Sequence, residues 1–292
     1  WGGPFAGTKG LVQDFGTERI MDAPISEAGF VGAAIGAALT GLRPVVDLMY
    51  FDFTTVAFDQ LLSNAAKSRY MFGGQTKVPL TLFARSGGGT GHAAQHSSAF
   101  YSILAHIPGL KVVTPTDPYS VKGLLSAAIR DDDPVFVVND KKLINMTGFV
   151  PDEDYQIELG KGRCLKEGSD ITLVGMSYTT VVCQEAAEKL KEIGIDAEVI
   201  DLLSLSPLDE DIIIESVKKT NRIVIVDEDN PKASIASEVA AIVSDKAFDY
   251  LDAPVKRVTA PHTPVPYSKE LENEFMPDSD DVLQTVKNIL DI

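Results

Sequence analysis

Along this chain, short runs that are apolar on both faces alternate with stretches whose apolar residues recur at helical spacing. In the first half the pattern predicts strands over RIMDAP (19–24), PVVDLMYF (44–51), PLTLFAR (79–85), KVVTPT (111–116) and PVFVVND (134–140). Between them it predicts helices over SEAGFVGAAIGAALTG (26–41), FTTVAFDQLLSNAAKSRY (53–70), SSAFYSILAHIPG (97–109) and DPYSVKGLLSAAIRD (117–131). Strand and helix in alternation, with strands apolar on both sides, describe a parallel sheet covered by helices.

The alternation lapses over 141–169, where Pro, Gly and charged residues mark a connection with room for a short β excursion. It resumes with DITLVGM (170–176), a helix over 179–194, AEVIDLL (197–203), a helix over 209–220, RIVIVDE (222–228) and a helix over 234–247. The pattern therefore predicts two three-layer α/β domains, with mostly parallel sheets covered by helices. They span 1–150 and 165–292, with 151–164 as the connection. A length of 292 residues supports two cores. Neither a fixed-period repeat nor a low-complexity tract interrupts them.

Composition narrows the partners. Apolar residues make up 45% and charged residues 23%, an ordinary globular balance. Lys and Arg total 26 against 42 Asp and Glu, a net charge of −16 that repels nucleic acid and anionic membranes. No apolar run approaches the roughly 18 residues of a membrane span, and no signal-peptide pattern opens the chain. Cys164 and Cys183 form no CxxC and have no neighbouring His, so they read as structural thiols of a reducing, cytoplasmic setting. Because the chain starts at Trp1 rather than Met, further residues are expected upstream.

Candidate chemistry sits in three places. Glu27 follows Ser26 at the start of a helix, where a carboxylate is favoured by the helix dipole alone. The loop SGGGTGHAAQHS (86–97) follows a strand, the position where open α/β sheets bind ligands, and carries His92 and His96, two of the chain's four histidines. Its glycines match neither the GxxxxGK[ST] nor the GxGxxG phosphate pattern. Phe53 closes a strand, and core packing is the default for it. Gly29, Gly32 and Gly36 recur at helical spacing and predict a close approach of another backbone, within the chain or across subunits.

Taken together, DAPISEAGFVGAAIGAALTGLRPVVDLMYFDF, AAQHS, HIPGLKVV, KGLLSAAIRDDDPV and TAPHTPVPYS, in this order, resemble the β subunit of the thiamine-diphosphate-dependent 2-oxo acid and acetoin dehydrogenases. The resemblance runs from residue 1 to 292 and implies a pyrimidine-binding domain followed by a transketolase C-terminal-like domain. Family subunits carry residues ahead of this point, so a helix and a strand of the first domain are expected to be missing.

The resemblance implies that Glu27 hydrogen-bonds N1′ of the cofactor's aminopyrimidine and favours the imino form that removes the thiazolium C2 proton. It places Ile25 beside the pyrimidine through its backbone, Phe53 against the pyrimidine ring and His96 near the reacting carbon, and leaves His92 open. Backbone carbonyls of Leu80, Ala128, Asp131 and Asp133 map onto a potassium site. The GDG motif that holds Mg²⁺ and diphosphate is absent, which implies an α subunit carrying that half of the cofactor, a second β subunit and a heterotetramer. Acyl transfer would go to a lipoyl acyltransferase, in a multienzyme complex.

Two stretches depart from the family: Leu202-Leu203-Ser204 replaces LRT, and VVNDKKLI at 137–144 replaces a Glu-rich LEHKLLY. MFGG and AAQHS point to pyruvate or acetoin rather than branched-chain oxo acids. A transketolase-like ketol transferase subunit and a non-catalytic scaffold subunit are the rival readings.

Overall fold

The computed structural model describes residues 2, 3 and 5–292. The first half runs through α1 (Leu11–Phe15), α2 (Glu27–Leu39), β1 (Val45–Tyr50), α3 (Ala66–Met71), β2 (Thr81–Ser86), α4 (Tyr101–Ala105), β3 (Lys111–Val113), α5 (Pro118–Arg130) and β4 (Val135–Asp140). The second runs through β5 (Arg163–Lys166), β6 (Ile171–Gly175), α6 (Tyr178–Glu192), β7 (Ala197–Asp201), β8 (Ser204–Ser206), α7 (Glu210–Thr220), β9 (Ile223–Asp227), α8 (Ile235–Lys246), β10 (Lys256–Thr259), α9 (Lys269–Phe275) and α10 (Ser279–Leu290).

Two five-stranded sheets result, ordered β1-β2-β4-β3-β8 and β10-β9-β6-β7-β5. Among the named strands, only β3 with β8 and β5 with β7 pair antiparallel. The expected mostly parallel α/β architecture is thus present, and the strands show why. β6, β7 and β9 are buried at every position, which a sheet covered on both faces requires. Helix starts carry their own signals: at α5, Pro118 is the first helical residue and the Asp117 carboxylate accepts the Ser120 N–H at 2.7 Å.

The structure differs from the pattern in three places. Residues 19–24 form a turn and irregular backbone, not a strand; Arg19, Asp22 and Pro24 outweigh Ile20 and Met21, and Pro24 lacks a ladder donor. The stretch 53–70 is not one helix but a 3₁₀ turn at Phe51–Thr55, a π-helical turn at Gln60–Ala65 and then α3. β8, too short and polar to be read as a strand, crosses from the second half to complete the first sheet.

The two halves share a core. Phe51, Leu104 and Phe136 belong to the same buried apolar cluster as Ile213, Ile225 and Ile235. At Gly109 the turn into β3 has φ of +95°, and an added Cβ would lie 2.2 Å from the Ala66 carbonyl oxygen, so only glycine fits. Gly29, Gly32 and Gly36 are different: no backbone of another segment approaches them, and around Gly36 there is open space. No helix among the described residues is long and apolar enough to cross a membrane.

Candidate active site

β1, β2 and β4 are adjacent and parallel, so the segments leaving their carboxyl ends emerge side by side. These segments are the 3₁₀ turn carrying Phe53, the loop 87–100 carrying both histidines, and Lys141–Leu143. α2 precedes β1 by a short turn and runs back against it. With 13 helical residues against six in the strand, both span about 20 Å, which returns Glu27 to the same sheet edge.

Tyr50, the last residue of β1, organises the cluster there. Its ring meets the His96 ring edge-on at 4.7 Å, His92 at 5.7 Å and Phe53 at 6.5 Å, and Phe53 in turn meets His96 at 5.4 Å. These are favourable aromatic geometries that fix ring orientation. Phe53 is therefore a half-buried member of this aromatic cluster rather than a core residue. The Lys141 ammonium lies 5.8 Å from the Tyr50 ring centre and donates to the His96 carbonyl oxygen.

The histidine loop is held from several sides. Ser98 donates to Asp52 Oδ1 through its backbone N–H at 3.1 Å and its hydroxyl at 2.5 Å, tying the loop to the Phe53 turn. Thr90 Oγ1 contacts His92 Nδ1 at 2.8 Å. From the second half, Glu228 Oε1 accepts the Gly88 N–H at 2.5 Å and Glu272 accepts those of Thr90 and Gly91 at 2.9–3.2 Å. Burial, then the Lys141 charge, lowers the His92 pKa and favours a neutral ring. Burial also lowers that of Lys141, against the pull of Asp52, Asp140, Glu228 and Glu272.

Glu27 is the first residue of α2 and only 6% exposed, yet its carboxylate makes no hydrogen bond or ion pair among the described residues. Ser26 occupies the cap position without a side-chain cap bond. A helix-terminus role explains the position of Glu27, while a carboxylate on so little-exposed a residue, without a protein partner among the described residues, leaves its acceptor oxygens open to a ligand. The residues at this edge fit an aminopyrimidine: an orphan carboxylate for a ring nitrogen, and Phe53 for a ring face. Ile25 is 89% exposed just ahead of α2, which leaves its backbone accessible.

Leu80, Asp131 and Asp133 converge where β2 and β4 begin, with Ala128 at the end of α5. The Leu80 carbonyl accepts from Val135 N–H at 2.9 Å, that of Ala128 from Asp131 N–H at 3.3 Å, and that of Asp131 from Arg43 at 2.7 Å. Each carbonyl retains a second lone pair for a cation. Elsewhere, Cys164, Glu167 and Glu198 cluster closely enough to hold a metal, but the Lys219 ammonium already bridges the two carboxylates. A groove of about 650 Å³ between Tyr70, Leu110 and Pro207 lies at the opposite, amino-terminal edge of the first sheet and takes no part in the histidine cluster.

Beside the histidine loop, Asp227 accepts from the Tyr101 hydroxyl at 2.8 Å and Asp229 from the Ser102 hydroxyl at 2.9 Å. Burial, then the Asp227 charge, pushes Asp229 up to about 7. Its neutral form is the stable one when folded. The stability it contributes is complete below the ordinary Asp value of about 4 and is lost as pH rises towards 7. Asp229→Asn, which keeps the acceptor and removes the charge, is expected to raise Tm at pH 8 and to gain progressively less towards pH 5. Equal Tm differences at the two pH values, read by calorimetry, would refute the assignment.

Sequence reasoning missed Tyr50, Lys141, Glu228 and Glu272. Tyr50 lay inside the quoted MYFDF, and Lys141 inside the departure VVNDKKLI. The two glutamates reach the loop from 140 and more residues away, a juxtaposition no local pattern encodes.

Comparison with known proteins matches residues 2–147 to the transketolase pyrimidine-binding domain and residues 160–282 to the transketolase C-terminal domain. The chain is 53% identical over 290 residues to the acetoin:2,6-dichlorophenolindophenol oxidoreductase subunit beta of Bacillus subtilis (strain 168), covering 99% of this chain and 85% of that one. It is 44% identical over 287 residues to the pyruvate dehydrogenase E1 component subunit beta of Rickettsia felis, covering 98% and 88%. Among solved structures, a split gene transketolase described as an inactive beta4 tetramer superposes with a TM-score of 0.80 at 25% identity, covering 99% of this chain and 89% of that one.

Proposed function

From the premise that this chain belongs to the transketolase-like family of thiamine-dependent pyruvate and acetoin dehydrogenase β subunits, we propose that it is the β subunit of such a complex. It would decarboxylate pyruvate or cleave acetoin and pass the acyl group to a lipoyl carrier. The observation that carries this reading is Glu27, only 6% exposed and with no carboxylate partner among the described residues, at the sheet edge that also presents Phe53 and His96. When bound, thiamine diphosphate supplies the carbon nucleophile for the substrate carbonyl.

The chain's own residues do the rest of this half of the work. Glu27 would hold a proton at the pyrimidine N1′. Phe53 packs on the pyrimidine and Ile25 offers backbone contact beside it. The His96 ring nitrogens make no hydrogen bond among the described residues and are available to the substrate. Tyr50 and Lys141 set the orientation of His96.

The diphosphate and Mg²⁺ are assigned to an α subunit that carries the GDG motif, in a heterotetramer with a second β subunit, and the acyl acceptor to a lipoyl acyltransferase. A potassium ion on the Leu80, Ala128, Asp131 and Asp133 carbonyls would share that of Asp131 with Arg43. Both cysteines are free, in keeping with the cytoplasm. Ketol transfer, suggested by the transketolase name of the 25%-identical structural relative, itself described as inactive, is the second reading; the 53%-identical relative carries an acetoin oxidoreductase name.

Isothermal calorimetry with Mg²⁺ and thiamine diphosphate tests the shared site. The chain alone is expected to bind at least roughly a hundredfold more weakly than the chain mixed with its GDG-bearing partner, the loss of about 2.7 kcal/mol of phosphate contacts. Equally tight binding by the lone chain would overturn the division of labour. Turnover of a ketose donor, without turnover of pyruvate or acetoin, would move the assignment to ketol transfer.

A further inference from the structure

The histidine loop is clamped at its glycine end by a pair of acids that the reaction does not use. Asp140 ends β4 and Glu228 follows β9, so the two come from opposite halves of the chain, and they are 3% and 5% exposed. Both side chains converge on one backbone point. A Cβ added at Gly87, where φ is +91°, would lie 2.3 Å from Asp140 Oδ2 and 3.0 Å from Glu228 Oε1. The same Glu228 oxygen accepts the Gly88 N–H at 2.5 Å, and Asp140 Oδ1 accepts the Lys142 N–H at 2.7 Å.

We propose that Glu228 is a positioning residue: its protonated carboxyl donates to Asp140 while accepting from Gly88, and this joint holds loop 86–97, hence His96, against the first sheet. The inference rests on the reading of His96 as an active-site residue. Two carboxyl groups this close and this deep share the pocket only if one stays neutral. Burial, then the Asp140 charge, raises Glu228 well above the usual carboxylate range, and burial raises Asp140 as well. The proton therefore resides on Glu228.

The charged and titratable groups around the pair are few. Lys141 and Lys142 follow Asp140; Asp227 and Asp229 flank Glu228; α4 presents Tyr101, α9 presents Glu272 and α6 presents Tyr178, whose hydroxyl bonds Lys142 at 2.7 Å. The Lys141 ammonium is directed to the His96 carbonyl and that of Lys142 to Tyr178, so neither substitutes for the shared proton. As pH rises and Glu228 ionises, two facing carboxylates repel, and the Gly87–Gly88 end of the loop is released. Below that ionisation the joint is intact.

Glu228→Gln separates positioning from a merely structural role, because its amide donates to Asp140 and accepts from Gly88 yet does not titrate; Glu228→Ala removes both bonds. Amide hydrogen exchange of the peptide spanning 86–97, measured by mass spectrometry on the full chain from pH 6 to 9 and corrected for intrinsic rate, is the first readout. Wild-type exchange is expected to rise roughly tenfold towards the alkaline end, the Gln variant to stay protected, and the Ala variant to be open at every pH.

In the complex with the α partner, kcat of the Gln variant should hold to higher pH than wild type. The Ala variant should lose roughly tenfold or more in kcat, with little change in KM. Superimposable exchange and kcat profiles for wild type and the Gln variant would overturn the proposal, and this comparison stands even if the Ala variant fails to fold. Exchange behaving as expected in a complex that turns over neither pyruvate nor acetoin would sustain the joint and reject the functional reading instead.

Discussion

Glu27→Gln, in the reconstituted complex, is expected to fold and to bind cofactor but to lose on the order of 10²–10⁴-fold in turnover, the worth of a positioned acid–base group. The substitution preserves volume and one hydrogen-bonding oxygen, and replaces an anion by a neutral amide at a residue only 6% exposed. If Glu27 served only the helix dipole, the cost would be about 0.3–1 kcal/mol of stability, with turnover untouched. Quenched-flow NMR of C2 proton exchange on the cofactor, alongside calorimetry of the apo chain, measures both effects. Wild-type exchange in the variant would reduce Glu27 to a helix-end charge.

Asp201→Ala is expected to destabilise the fold by about 3–5 kcal/mol, the cost of removing one partner from a buried charge pair. Asp201, the last residue of β7, is fully buried and accepts four hydrogen bonds from both halves of the chain. Thr116 Oγ1 reaches it at 2.9 Å from the first half, Thr180 Oγ1 at 3.0 Å and Arg163 at 2.9 and 3.0 Å from the second. Arg163 also pairs with Asp117, the cap of α5, at 2.7 Å. Burial raises Asp201, while the Arg163 charge pulls the other way. A fall in Tm of roughly 10 °C follows. Asp201→Asn, which preserves acceptance from the two threonines, should fall between wild type and Ala. A Tm for the Ala variant within about 2 °C of wild type would show that the halves are held by their shared core alone.

The alternation of two-faced apolar strands with amphipathic helices was enough, by itself, to determine the α/β class and most of the elements, because burial on both faces leaves a strand such as β9 little choice of residue. Motifs in the sequence named Glu27, Phe53 and His96 as candidates, because their neighbours carry the resemblance, and the structure brings the Phe53 and His96 rings to 5.4 Å. Sequence did not reveal that 19–24 is irregular, since the weak apolar signal of Ile20 and Met21 loses to Pro24 and two charges only once no neighbouring strand is there to pair with it. Nor did it reveal that Ser204–Ser206 crosses to the first sheet, because a three-residue polar strand is defined by its partner, β3, rather than by its own pattern. The frame of the histidine loop was likewise decided in three dimensions. Tyr50, Lys141, Glu228 and Glu272 meet it from four separate segments, and hydrogen bonds spanning up to 182 residues leave no trace in local spacing. Local sequence fixes what backbone propensity and burial periodicity reward; the pairing of distant polar groups is settled only when the packed sheets bring their carboxyl edges together.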